Sequence, residues 1–435
     1  MTRVQFMNSG SVCTPSGLPS ATASPMLPSL PSFRARASGG ESHPLAMETR
    51  HPGIQDMSSR ITVGLSTNLL EPDYVRRGVD GIGVYTSVLL QGLSSCGCDV
   101  QGWSFPGLFG SKGLAVGRTM PAAHEFSAVR DLMMPRFRTR LAVDVFHTTD
   151  YRIIRMECPV VATLHDATPM IFPQWYGGRV RKLKNHLLRQ MVRNADHFIA
   201  LSHFSVAELV EHFGIDEKRI TVVHCGVAAH WLDPLPPEET ERVLARHGLR
   251  PGYFLFVGTL QPRKNIERIL EAYLRLPADV RKERQLVIAG RAGWSCKDLL
   301  VQIKGAQQRG EQVIWLDYVA GEDNLRHLYA GAGVFVFPSL HEGFGIPVVE
   351  AFASGVPVVT SNTTSLPEVS QGAALEVDPV SVSAIGSAML SLVRDEILRQ
   401  RCIVAGRRRA SELTWSRTVK KTAAVYGSVL GMAEP

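Results

Sequence analysis

Two domains of the doubly wound α/β class, each a parallel sheet between layers of helices, are the architecture this sequence predicts. Short apolar runs, bounded by glycine or small polar residues, alternate with amphipathic stretches along most of the chain. That is the pattern of parallel strands joined by crossover helices. It stops at a charged, proline-marked stretch, residues 233–250, and then starts afresh. Late in the second half, residues 334–338 read as a buried strand. A glycine-rich loop comes next, then a helix framed by Pro347, a residue type that opens helices, and Gly355, one that closes them. With 435 residues the chain is long enough for two or three cores.

Residues 1–58 stand apart. Serine, proline, alanine and glycine dominate, with Ser24, Pro25, Pro28, Ser29, Pro31 and Ser32 crowded together. Such a segment buries too little apolar surface to offset its ordering entropy, and it lacks the apolar centre of a secretory signal. A disordered, non-catalytic extension is expected, with Met47 and Met57 as alternative starts. The first domain is expected over 59–232, with strands at 61–66, 100–105, 144–147, 160–164, 197–201 and 220–223. Residues 233–250 serve as a linker carrying a short helix. The second domain, 251–415, has strands at 254–258, 286–290, 313–316 and 334–338, and one more after the helix that Gly355 ends. Its first helix, capped by Asn265, sets Ile266, Ile269, Leu270, Tyr273 and Leu274 on one stripe. A last helix, in 416–435, ends the chain.

The composition is 45% hydrophobic and 20% charged, and no apolar run approaches the length of a membrane span. Seven cysteines without zinc-type spacing (Cys96 and Cys98 stand too close for a CxxC site) read as reduced, in a cytoplasmic protein. A net charge of +7 suits nucleotide sugars, anionic membranes or nucleic acid, and by itself selects none.

Three stretches carry chemistry. In the first, Glu342 lies in the glycine-rich loop and Glu350 about a turn into the next helix, so two carboxylates approach one crevice at a strand's carboxyl end. In the second, Gly258-Thr259-Leu260-Gln261-Pro262-Arg263-Lys264-Asn265 joins a strand to a helix and sets two cations at a helix start, suited to a diphosphate. The third, Gly81-Ile82-Gly83-Val84-Tyr85-Thr86, is half of a dinucleotide fingerprint. Thr86 occupies the third-glycine position and no acid ends the strand at 100–105, so no nicotinamide cofactor is expected.

The string Glu342-Gly343-Phe344-Gly345-Ile346-Pro347-Val348-Val349-Glu350-Ala351, continued to Gly355-Val356-Pro357-Val358-Val359 and Leu366-Pro367-Glu368-Val369, resembles the E-x7-E signature of retaining glycosyltransferases of family 4, group 1. The resemblance covers residues of about 60 to 430. It implies the GT-B fold, two Rossmann-like domains facing a cleft, with the last helix returning to the N-terminal domain. It implies that Glu342 contacts the reacting face of the donor sugar and Glu350 the nucleotide ribose. Gly258, Gly343, Phe344 and Gly345 would line the nucleotide-sugar site, Arg263 and Lys264 would hold the diphosphate, and Glu368 is a weaker candidate for the nucleotide region. His165, followed by Asp166 and Pro169, resembles the family's cleft histidine and joins Glu342, Arg263 and Lys264 as a catalytic candidate. Gly81, Gly83 and Tyr85 would form a loop facing the cleft on the acceptor side. Ser202 and Ser205 resemble a recurrent serine pair, and helix capping explains them equally well. At the end of the first domain Cys225-Gly226-Val227-Ala228 departs from the usual Asn-Gly-Val-Asp.

The resemblance thus leads to the expectation of a retaining hexosyltransferase, mannose foremost, moving sugar from a nucleotide diphosphate to a glycan or lipid-linked acceptor in polysaccharide or lipopolysaccharide assembly. No Asp-x-Asp pair occurs, so no metal and no separate cofactor are expected. The rival readings are transfer to a small soluble sugar or sugar phosphate, and a silent GT-B scaffold. A nicotinamide oxidoreductase is less well supported, and no nucleic-acid partner is expected. The basic stretch 179–195 admits two readings, a core-packed helix with a solvated face or a contact with the anionic inner face of the cytoplasmic membrane.

Overall fold

The computed structural model describes residues 60–75, 80–107, 115–172 and 181–432. The expectation for residues 1–58 lies outside the described residues.

The first sheet has seven parallel strands, β1 (Ile61–Ser66), β2 (Cys98–Ser104), β3 (Arg118–Thr119), β4 (Val145–Thr148), β5 (Val160–Leu164), β6 (His197–Ala200) and β7 (Ile220–Val222), in the order β3-β2-β1-β4-β5-β6-β7. The second has six, β8 (Tyr253–Val257), β9 (Leu286–Ala289), β10 (Val313–Leu316), β11 (Ala332–Phe337), β12 (Val358–Ser361) and β13 (Leu375–Val377), in the order β10-β9-β8-β11-β12-β13. β4, β5 and β11 are buried along their whole length, as expected of strands covered by helices on both faces. The edge strands β3 and β13 were not anticipated. At two and three residues they are too short to leave a period in the sequence.

In both sheets chain order reverses beside the strand that begins the domain, β1 or β8, and ligands of open α/β sheets bind outside the carboxyl ends there. Contacts between the loops after β5 and β11 show those ends facing one another across the cleft.

The last helix, Trp415–Val429, does cross back. Val227 N–H donates to the Leu413 carbonyl at 3.0 Å and Trp415 N–H to the Val227 carbonyl at 3.1 Å, so the two domain crossings run side by side. Gly226 is required there, because a Cβ would stand 2.4 Å from the Thr414 carbonyl carbon. The helix then seats Tyr426 against His147, hydroxyl to Nδ1 at 2.6 Å, inside the first domain. Burial drives the His147 imidazole down to about 3, so it stays a neutral hydrogen-bonding core residue.

Candidate active site

The cations come first. After β8 the chain passes Gly258, turns through Pro262–Lys264 and enters the helix Ile266–Leu274 at Asn265. Asn265 holds the N-cap position with φ 62° but makes no capping bond, contrary to expectation. Its amide instead donates to the carbonyls of Pro338 at 2.8 Å and Pro379 at 2.7 Å. It thereby ties the cation turn to the end of β11. Lys264 is buried with its ammonium 4.7 Å from the centre of the Phe337 ring. Burial, with the charge of Arg263 beside it, lowers the Lys264 ammonium to about 8, despite an opposing pull from Glu342.

Glu342 closes this cluster. Its Oε2 accepts from Arg263 at 2.7 Å and its Oε1 from Lys264 at 2.6 Å. Burial alone would raise its carboxyl, yet the two cations outweigh that and hold it at about 2. The Ser365 hydroxyl supports the loop from behind, 2.8 Å from the Glu342 carbonyl and 2.9 Å from that of Phe344. Gly345 supplies the positive φ, 115°, that turns the loop into the helix Ile346–Ala353. Glu350 is that helix's fifth residue, so it stands in the second turn. Its Oε2 accepts the Tyr329 hydroxyl at 2.8 Å, and no bond joins it to the Glu342 cluster among the described residues. Burial raises the Glu350 carboxyl to about 7.

The opposite wall is the first domain. Gly343 packs so tightly on the loop after β5 that a Cβ would stand 1.8 Å from the His165 carbonyl oxygen. Its own carbonyl receives the hydroxyls of Ser202 at 2.8 Å and Ser205 at 3.2 Å. Both serine readings hold, because Ser202 also caps the helix His203–Phe213. The His165 Nε2–H donates to the Thr149 carbonyl at 3.1 Å. Burial keeps this imidazole neutral, with its pKa below the usual value despite nearby Asp166.

Asp80 caps the helix Gly81–Gly92, and a Cβ on Gly81 would meet Ile346 at 3.7 Å, so this loop does face the cleft. Tyr85 does not: it is fully buried, bonded to Thr163 at 3.0 Å, with its ring edge-on to His165. Gly83 is buried too, its N–H spent on Asp80. Glu368 faces the first domain, where it accepts from His203 and Phe204 N–H and from the His224 ring.

Sequence reasoning missed His341. Its Nε2 reaches Glu208 at 2.7 Å and its Nδ1 lies 3.3 Å from the Thr168 hydroxyl, all buried. The histidine adjoins the signature glutamate, but its partners stand 133 and 173 residues away, and no local pattern links them. Tyr329 was invisible for the same reason.

Two family models match this chain, Glycosyltransferase Family 4 over residues 79–231 and Glycosyl transferases group 1 over residues 238–409. The chain is 34% identical over 284 residues to O-antigen chain mannosyltransferase B of Escherichia coli, covering 65% of this chain and 74% of that protein. It is 28% identical over 264 residues to the serotype-specific mannosyltransferase WbdA of Escherichia coli, of which it spans about a third (59% of this chain, 32% of that protein). Among solved structures it resembles sucrose-phosphate synthase from Thermosynechococcus elongatus, with TM-score 0.66 and 18% identity over 86% of this chain and all of that one. WaaG, a glycosyltransferase of lipopolysaccharide biosynthesis, superposes with TM-score 0.62 and 15% identity, covering 84% of this chain and 99% of that one.

Proposed function

The chain belongs to the group 1 glycosyltransferases, glycosyltransferase family 4, and on that premise we propose a retaining, metal-independent hexosyltransferase with mannose as the foremost sugar. The donor is a nucleotide diphosphate sugar, and the acceptor a hydroxyl on a glycan or lipid-linked glycan in polysaccharide or lipopolysaccharide assembly. The mannosyltransferase names of relatives support the sugar and the setting. The reaction itself rests on one observation, the cluster in which Arg263 and Lys264 grip Glu342.

These three side chains together carry one net positive charge, and Lys264 and Glu342 are buried. When the anomeric C–O bond to phosphate breaks, the electron pair leaves with the diphosphate and the sugar takes on oxocarbenium character. Arg263 and Lys264 stabilise the departing charge, and preorganised donors of this kind contribute about 3 kcal/mol each. Glu342, ionised at any working pH, holds no proton to donate. It serves as a fixed negative charge and hydrogen-bond acceptor beside the sugar. The new C–O bond forms on the face the phosphate leaves, and the acceptor's proton passes to the departing phosphate oxygen. Neutral His165 supplies its carbonyl and ring to the wall. Glu350, against Tyr329, accepts from the ribose hydroxyls.

The test is a thermal-shift panel of GDP, UDP and ADP and their hexoses, followed by NMR of the first product. A nucleotide sugar at 100 times its Kd should stabilise by about 2.7 kcal/mol. Transfer should survive excess EDTA, and the product should keep the donor's anomeric configuration. Inversion, or strict Mg²⁺ dependence, would overturn this reading.

We also propose peripheral contact with an anionic bilayer, in which the basic stretch 179–195 is joined by a second, apolar surface. In the basic stretch the side chains of Arg179, Arg181, Lys182 and Lys184 lie outside the described residues. The stronger support is the helix His124–Met133, where Phe126 is 62%, Val129 61% and Met133 73% exposed. Met134 and Phe137 extend this apolar stripe, and Arg136 and Arg140 flank it, exposed. Arg155 joins it to the end of the basic helix through Pro135 and Asn194.

A further inference from the structure

Near the paired domain crossings, two histidines of the first domain meet a carboxylate of the second. We propose that His203, His224 and Glu368 form a site for one divalent transition-metal ion of the zinc class, and that the ion pins the two domains together. Among the described residues this is the one group of three such side chains gathered for an ion, with one ligand atom from each within 4.8 Å of the others.

Two of the three ligands are already fixed. Glu368 Oε1 accepts the His203 N–H at 2.9 Å and Oε2 the Phe204 N–H at 3.2 Å, which orients the carboxylate. Those bonds and the His224 ring outweigh its burial and keep it below the usual carboxylate range. His224 stands 2.7 Å from Oε1, and its carbonyl is held by the Thr418 hydroxyl at 2.7 Å. The third ligand is adjustable, because His203 is exposed and its ring meets only the edge of the His224 ring among the described residues.

A tetrahedral zinc ion with bonds of about 2.0–2.2 Å spreads its ligand atoms to about 3.4 Å. The His224–Glu368 pair must therefore open slightly while His203 swings in. On binding, the His224 ring gives up its bond to Glu368 and offers the Nε2 lone pair to the ion, its remaining N–H then carried on Nδ1. Two imidazoles and one carboxylate favour zinc, nickel or cobalt over magnesium and calcium, which want an oxygen shell. Arg409 bonds the Glu368 carbonyl at 3.1 Å, but its charge is paired with Glu412 at 2.9 Å. None of the three takes part in the transfer described above, so the ion would regulate domain opening and would not drive chemistry.

The test is a ZnCl₂ titration of the full chain, by calorimetry and thermal shift, with no donor present. Wild type should bind one zinc per chain and melt higher, reversibly with EDTA. His203→Ala leaves every backbone bond in place. It should lose at least the 10–100-fold that removal of an outer partner alone costs a metal site, with unchanged melting in EDTA. Equal zinc affinity in wild type and His203→Ala, for instance through the cysteines, would overturn the proposal. So would no zinc binding at micromolar concentration, or an equal response to MgCl₂.

Discussion

Replacing Glu350 by glutamine should stabilise this protein, and more so as the pH rises. Burial lifts the Glu350 carboxyl from 4.5 to about 7, and the Tyr329 hydrogen bond only partly opposes it. A carboxyl raised on folding supports the native state fully below 4.5, and that support is lost as the pH climbs through about 7. At pH 8 the native state has either taken up a proton or buried a charge, at a cost of about 3 kcal/mol, against under ~1 kcal/mol at pH 5. Glutamine keeps the volume, carries no charge, and offers a carbonyl to the Tyr329 hydroxyl. Because 1 kcal/mol moves the melting temperature of a 150–250-residue domain by about 2–4 °C, Glu350→Gln should gain roughly 6–12 °C at pH 8. At pH 5 the gain should shrink to about 3 °C or less. Differential scanning fluorimetry of both proteins across pH 5–8 reads this directly. An equal shift at the two pH values, or a loss at both, would refute the argument from burial.

Donor binding should carry the opposite dependence in wild type: nucleotide diphosphate affinity should rise by about fivefold from pH 6 to pH 7.5 as Glu350 ionises, before deprotonation of the Lys264 ammonium near 8 begins to oppose it. The profile should flatten in Glu350→Gln, which isothermal titration would reveal. Arg263→Ala or Lys264→Ala should slow turnover by about 10²–10³ with the fold intact by circular dichroism, and a near wild-type rate would remove the leaving-group role. Removing both hydroxyls, Ser202→Ala with Ser205→Ala, leaves the buried Gly343 carbonyl without its two donors. Melting should fall by an amount corresponding to about 1–3 kcal/mol, and an unchanged melting curve would show that water replaces them. Phe126→Ser with Met133→Ser should abolish co-sedimentation with anionic liposomes at low salt while donor affinity stays the same. Unaltered sedimentation would move the contact elsewhere.

Most of the fold was legible because its strands are buried on both faces, and runs such as Val160-Val161-Ala162-Thr163-Leu164 announce themselves by composition. The cation turn and the Glu342 loop were legible because glycine, proline and charge occur there in a fixed local order. Tyr85 was misplaced because a tyrosine in a cleft loop and one packed under it look alike in sequence; only the partner Thr163 tells them apart. Glu368 and Asn265 fit the same account, each local signal being read correctly as polar and helix-opening while the bond partner came from a distant segment. The His341–Glu208 pair lies beyond sequence reasoning altogether, since it exists only once the two domains meet.

The loop bearing Glu342 is moored at both sides to the other half of the molecule, through His341 in its Glu208–Thr168 socket and through the Gly343 carbonyl under two serines. Glu342 itself, between those moorings, is fastened to the cations of its own half. The halves therefore cannot part without disturbing the loop that carries Glu342 and its two cations. On the role proposed for Glu342, parting the halves and loosening the donor sugar would be a single event, so the bonds that join the domains would also set how firmly the sugar is held.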